Sequence, residues 1–189
     1  NLWFIPLILL ITFLQFLIGI LNLNVLLKPL GISIPFWRLF RYHYLSWAIG
    51  TFLPGKLGEF SLIYFLKKEE NVSVGEGLVI SVIDRLITLI TLSIFAVVGF
   101  FIFLTKIQAM QYLFILLGII IFLIFLIFSK FGRRIITKFI LRKYSRLFSG
   151  FSDCLLSYVK CHKRSLFVNF LLTILKWVTM GALAYVVFL

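Results

Sequence analysis

Charged side chains inside long apolar runs are the residues here best placed to do chemistry, because each costs a few kcal/mol or more in hydrocarbon and needs a compensating role. Three places qualify. The first is the turn Pro54-Gly55-Lys56-Leu57-Gly58-Glu59, set between the apolar runs 42–53 and 57–66. Its glycines permit positive φ and close backbone approach, and Pro54 ends one half-helix. The next half-helix aims its positive dipole end into the turn. That arrangement suits an anionic headgroup, with Lys56 as counter-charge and Glu59 holding a cation or pairing with Lys56 or Arg85. A surface loop between two imperfect helices is the plainer alternative. The second place is Asp84-Arg85. At 100° per residue, Gly77, Ser81, Asp84, Arg85, Thr88 and Thr91 fall within about 120°, so one polar or small face is expected to look into a helix bundle. Residues 86–104 are long enough to span by themselves, which would leave the pair at headgroup level. The third is Lys176, ten residues after Leu166 and on one face with Asn169 and Thr173. It lies about 15 Å along a helix, near mid-depth. It requires an anionic partner, namely Glu59, Asp84 or a lipid phosphate, unless the helix continues and the lysine snorkels to an interface.

The other polar residues carry less. Cys154 and Cys161, seven apart with His162 adjacent, share a helix face, but no four-ligand spacing accompanies them and no metal is expected. His43 stands among Tyr42, Tyr44 and Trp47 and reads as an aromatic-belt residue, with a proton relay as the alternative. Trp3, Trp37 and Trp177 read as anchors or packing groups. No nucleophile elbow, phosphate loop or zincin motif occurs, so the expectation is no cofactor and no bond-making chemistry by this chain.

The elements that hold these residues must be solvated by lipid. Of 189 residues, 62% are hydrophobic and 13% charged, against roughly 45–50% and 25% in soluble domains, so too little polar surface exists to face water. The net charge of +13 comes from basic residues that flank apolar runs. That placement excludes nucleic acid as the expected partner and favours membrane lipids. Two cysteines make no disulfide framework and are expected as reduced thiols on the cytoplasmic side.

About 20 apolar residues cross a hydrocarbon core of about 30 Å. The segments 1–27, 78–104, 112–128 and 166–189 meet or approach that length, the last only with Lys176 inside it. Segment 36–68 differs, because Pro54-Gly55 divides it into apolar pieces on the order of 18 Å and 15 Å, neither able to span. A re-entrant hairpin is expected, its turn shielded by protein or a water-filled cavity. Segment 129–165 holds ten of the nineteen basic residues (Lys130, Arg133, Arg134, Lys138, Arg142, Lys143, Arg146, Lys160, Lys163, Arg164) and one acid, Asp153. The positive-inside rule makes it cytoplasmic, along the inner leaflet. The link 105–111 then lies outside, and both ends of the hairpin inside. The expected architecture is an all-α integral membrane protein: one membrane domain over 1–189, with about four transmembrane helices, a re-entrant broken-helix hairpin and a basic cytoplasmic connection, multi-pass in the plasma membrane. The sequence begins at Asn1 and stops in an apolar run at Leu189, as expected of a piece of a longer protein.

The succession Phe52-Leu53-Pro54-Gly55-Lys56-Leu57-Gly58-Glu59, then Asn71-Val72-Ser73, then Val82-Ile83-Asp84-Arg85-Leu86 resembles the lysylphosphatidylglycerol synthase transmembrane region, or flippase-like domain. The resemblance covers approximately residues 21–101. It implies that Pro54, Gly55, Gly58, Glu59, Asp84 and Arg85 are signature positions. Asp84 stands where the family usually has Glu, and residues 61–64 contain no Arg where the family often has one. The family has a later second re-entrant segment, and its activities include moving aminoacylated phosphatidylglycerol between leaflets, with related members associated with polyprenyl-linked sugars. The candidate headgroup-binding set is therefore Pro54, Gly55, Lys56, Gly58, Glu59, Asp84, Arg85 and Lys176. The expected function is translocation of an anionic phospholipid or polyprenyl-phosphate-linked headgroup, with oligomers allowed. The alternatives are the membrane domain of a lipid-modifying synthase or glycosyltransferase, and a structural or channel-like subunit.

Overall fold

A computed structural model of the chain describes residues 4–52, 59–103, 106–129 and 151–188. Among them are seven α-helices and no strand: α1 Phe4–Leu27, α2 Phe36–Phe52, α3 Glu59–Glu70, α4 Val74–Phe103, α5 Lys106–Phe128, α6 Phe151–Cys161 and α7 Lys163–Phe188. Three stretches, Phe4–Leu30, Val74–Ile102 and Lys163–Phe188, are long and apolar enough to cross a membrane by length and composition. α5 adds 23 helical residues, with Met110–Ile119 as a shorter apolar stretch. The protein is an all-α membrane protein. Its side chains are distributed accordingly, since Phe114 and Phe167 are 68% and 61% exposed while Asn22, Asn169 and Thr173 are buried. In lipid, apolar groups gain nothing from being inside, and polar groups must find partners among themselves.

The chain divides into two compact units, residues 1–84 with 150–189, and residues 85–149. In the first, α1 and α7 pack antiparallel. The Gln15 side chain reaches Met180, the Asn22 amide reaches Thr173, and the Tyr158 hydroxyl of α6 donates to the Leu26 carbonyl at 3.0 Å. That last bond docks α6 on the end of α1, with Leu155 and Tyr158 as its buried face. α1 runs into a short 3-10 turn, Lys28–Leu30, and stops at Gly31, whose φ of 74° is one that side-chain-bearing residues rarely adopt. There the Gly31 and Ile32 amides return to the Lys28 and Leu27 carbonyls, satisfying acceptors that a helix end leaves open.

α2 and α3 form an antiparallel hairpin. Ser61 donates to Ser46 at 3.1 Å, and the Tyr42 and Phe65 rings stack at 5.7 Å. At the open end Arg38 pairs with Glu70 at 3.2 Å and Arg41 with Glu69. The Tyr42 hydroxyl lies 2.8 Å from a carboxylate oxygen of each glutamate. Both arginines are more than half exposed, so each ion pair contributes about 0.2–1 kcal/mol. Tyr42 is wholly buried and is the firmer link. At 17 residues α2 is longer than its apolar run, about 26 Å, still short of a bilayer core. The turn between the two helices, residues 53–58, lies outside the described residues.

α4 opens with a capping box. The Glu76 carboxylate is used twice: its Oε2 accepts from the Ser73 amide at 3.0 Å and from the Ser73 hydroxyl at 2.8 Å, while Ser73 Oγ accepts from the Glu76 amide. In the second unit, the remainder of α4 and α5 meet through Phe100 and Tyr112, 5.6 Å between ring centres. Thr91 and Ser93 return their hydroxyls to the Ile87 and Leu89 carbonyls, which lets polar side chains sit in an apolar helix without unpaired donors.

Candidate functional site

A polar cluster occupies the interior of the first unit. Asn22 of α1 is its hub. Its side-chain amide nitrogen donates to Asp84 Oδ1 at 3.3 Å and to Thr173 Oγ1 at 3.1 Å, and its Oδ1 accepts from Asn169 Nδ2 at 2.6 Å. Thr173 donates onward to the Asn169 carbonyl at 2.8 Å. The Asn169 side chain also acts on the Asp84 carboxylate, so amides from two helices, α1 and α7, bear on it. The chain of donors fixes the amides: turning Asn169 over would set two carbonyl oxygens against each other. One acceptor is left over. Asn169 Oδ1 is buried and has no hydrogen-bond partner among the described residues, in a residue that is 0% exposed.

Two further groups stand beside this network. Lys176 lies one turn beyond Thr173 on α7, and its ammonium acts electrostatically on Asp84 and on His43. His43 reaches the site from α2 through a gap at Gly19, where an added methyl group would overlap the imidazole Nε2, and its ring meets Phe16 edge-on at 6.3 Å. The glycine is thus what admits a histidine against α1. Asn22 is five residues before the end of α1 and Asn169 six after the start of α7, which sets the network about 8–9 Å inside those ends.

Outside the membrane-crossing helices, burial raises the Cys154 thiol and the Tyr158 hydroxyl above their ordinary values, with the Glu76 carboxylate adding to the effect at Cys154. Among the described residues no group of three or more His, Cys, Asp or Glu is placed to hold a metal ion.

The full length of the chain, residues 1–189, matches the family described as Lysylphosphatidylglycerol synthase TM region. The chain belongs to this family. No curated protein and no solved structure matches it. As a lysylphosphatidylglycerol synthase transmembrane region, the chain is a membrane domain tied to phospholipid metabolism.

Of the eight candidate residues, Asp84 and Lys176 are brought near each other, the lysine ammonium acting electrostatically on the carboxylate. Arg85 is the next residue of α4, exposed and turned about 100° from Asp84. Glu59 is the first residue of α3. Pro54, Gly55, Lys56 and Gly58 lie outside the described residues. Sequence reasoning missed Asn22 as the hub, because a run without charge reads as featureless. The available signal was an amide inside an apolar span, since polar uncharged side chains bridge helices in lipid. His43, read from the sequence as an aromatic-belt residue with a proton relay as the alternative, has its ring lodged against Gly19, within electrostatic reach of Lys176.

Proposed function

We propose that this chain is a lipid-handling membrane domain that shelters the polar headgroup of an anionic lipid and lowers the barrier to its passage across hydrocarbon. The observation that carries the reading is the Asp84 carboxylate held in a network of buried amides, with the Lys176 ammonium near enough to act on it, inside helices whose outer faces are apolar. Charges held by protein at membrane depth are costly and mark substrate paths. In this reading Lys176, Lys56 and Arg85 attract a phosphate, and Asp84 and Glu59 are counter-charges that offset two of the three when the site is unloaded. The hairpin α2–α3 is re-entrant, its helices being about 26 Å and 18 Å long, with the Pro54–Glu59 turn as the mouth of the path. The basic segment 129–165 faces the cytoplasm of a plasma-membrane protein.

The test is a leaflet-exposure assay in proteoliposomes with labelled phosphatidylglycerol. Wild-type protein is expected to move the label faster than protein-free vesicles, and Lys176→Met and Glu59→Ala to return it toward background. Equal rates for wild type and empty vesicles would overturn the reading. The family description favours a second one, in which this is the membrane domain of a lipid-modifying synthase and acts on a lipid made by a catalytic domain. There, movement of plain phosphatidylglycerol stays at background, while the aminoacylated lipid is moved.

A further inference from the structure

The cluster has a titratable composition that headgroup attraction alone does not use. Gln15 lies opposite Met180 and Asn22 opposite Thr173, so this antiparallel register sets Gly19 opposite Lys176. Gly19 is also where the His43 ring is lodged. Asp84 is one turn further along, on Asn22. An imidazole, an ammonium and a carboxylate, carried by α2, α7 and α4, therefore occupy adjacent turns along one face of α1. α1 itself has no ionisable side chain between Phe4 and Leu27. Of the other charged or titratable groups on these elements, Arg85 is adjacent to Asp84 but exposed and turned about 100° away, Glu76 is bound to Ser73 at the start of α4, and the rest are engaged or distant. Arg38 and Arg41 pair with Glu70 and Glu69 of α3, and Tyr42 bonds to the same two carboxylates. Tyr44 packs on Phe16, Arg85 follows Asp84 on α4, and Lys163 and Arg164 begin α7, about 18 Å or more from Lys176.

We propose that His43, Lys176 and Asp84 form one proton-exchanging site within the membrane portion, and that proton uptake there readies the site for an anionic headgroup. The second half of this rests on the function proposed above; the first does not. Charge counting gives the logic. Ionised Asp84, protonated Lys176 and neutral His43 sum to zero, so these three groups together exert no net attraction on a phosphate. One proton taken from water onto the imidazole or the carboxylate leaves a net charge of +1, which a singly charged phosphodiester cancels. Proton and headgroup then enter and leave together, and no charge is carried uncompensated through hydrocarbon. The spare acceptor at Asn169 Oδ1 provides a place for a proton-bearing group to turn to within the network.

The chain has two histidines, His43 and His162, so histidine-labelled protein in phosphatidylcholine vesicles gives two imidazole NMR signals, assigned with His162→Gln. Lys176→Met and Asp84→Asn are expected to displace the His43 midpoint in opposite directions, each by about one pH unit, because one removes a positive neighbour and the other a negative one. His162 should not move. Unchanged midpoints, or displacement of both in the same direction, would overturn the site. Independently of any variant, mixing weakly buffered wild-type protein with short-chain phosphatidylglycerol is expected to take up about one proton per bound lipid. Binding without proton uptake overturns the coupling. If the midpoints move as expected but labelled lipid never changes leaflet, the proton site stands and the translocation reading fails.

Discussion

The residues that organise the interior are amides more than charges. Asn22 makes three side-chain bonds to three groups on two other helices, and each of these would be left with an unmatched donor or acceptor if it were lost. A buried polar group left unsatisfied costs about 1–3 kcal/mol. Asn22→Leu is therefore expected to destabilise the protein by about that amount in a reversible unfolding titration in micelles. Among the described residues Gln15, on the same helix, makes only a long exposed contact to the Met180 sulfur at 3.6 Å, so Gln15→Leu should stay within about 0.5 kcal/mol. Equal losses from the two substitutions would mean that the network does not hold α1 to α7. The charged members of the site were legible in the sequence because charge in an apolar run stands out at once. Asn169 was legible only as a face-mate of Lys176, and Asn22 not at all, because an Asn gains meaning only when its partners, 62 and 147 residues away, are known.

At the scale of elements, the hairpin is the part whose pairing can be checked most directly. The Ser46 and Ser61 hydroxyl oxygens are 3.1 Å apart, so cysteines at the two positions fall within reach of a disulfide. In a Cys154→Ser, Cys161→Ser background, Ser46→Cys with Ser61→Cys should cross-link under mild oxidation, read as thiol loss without dimer formation. Free thiols after oxidation would contradict the antiparallel register. The existence of α1, α4, α5 and α7 is legible from apolar runs, but their limits are not. α4 begins at Val74 instead of Leu78 because Ser73 and Glu76 cap it there, a local polar exchange invisible to hydropathy. α5 begins at Lys106 and takes in residues 106–111, since a single lysine in the first turn does not break a helix. α6 has too few apolar residues to register as a span, and it is defined by the Tyr158 hydroxyl finding the Leu26 carbonyl.

At the scale of the whole molecule, orientation can be read directly from the cysteines. The positive-inside rule leads to the expectation that segment 129–165 is cytoplasmic; the antiparallel packing of α1 and α7 is the same in either orientation. Cys154 and Cys161 lie on α6 within that segment, the first partly buried and the second exposed. A membrane-impermeant maleimide added to right-side-out vesicles should label neither, and after permeabilisation it should label Cys161 first. The thiolate is the reactive form. Because burial and then Glu76 raise the Cys154 thiol, less of it is ionised at neutral pH. Its labelling should lag at about pH 7 and accelerate as pH rises toward about 9. Glu76→Gln removes the smaller of the two causes and should shorten the lag while leaving Cys161 unchanged. Labelling of Cys161 in intact right-side-out vesicles would reverse the assigned orientation, and with it the side from which a headgroup reaches the Asp84–Lys176 pair.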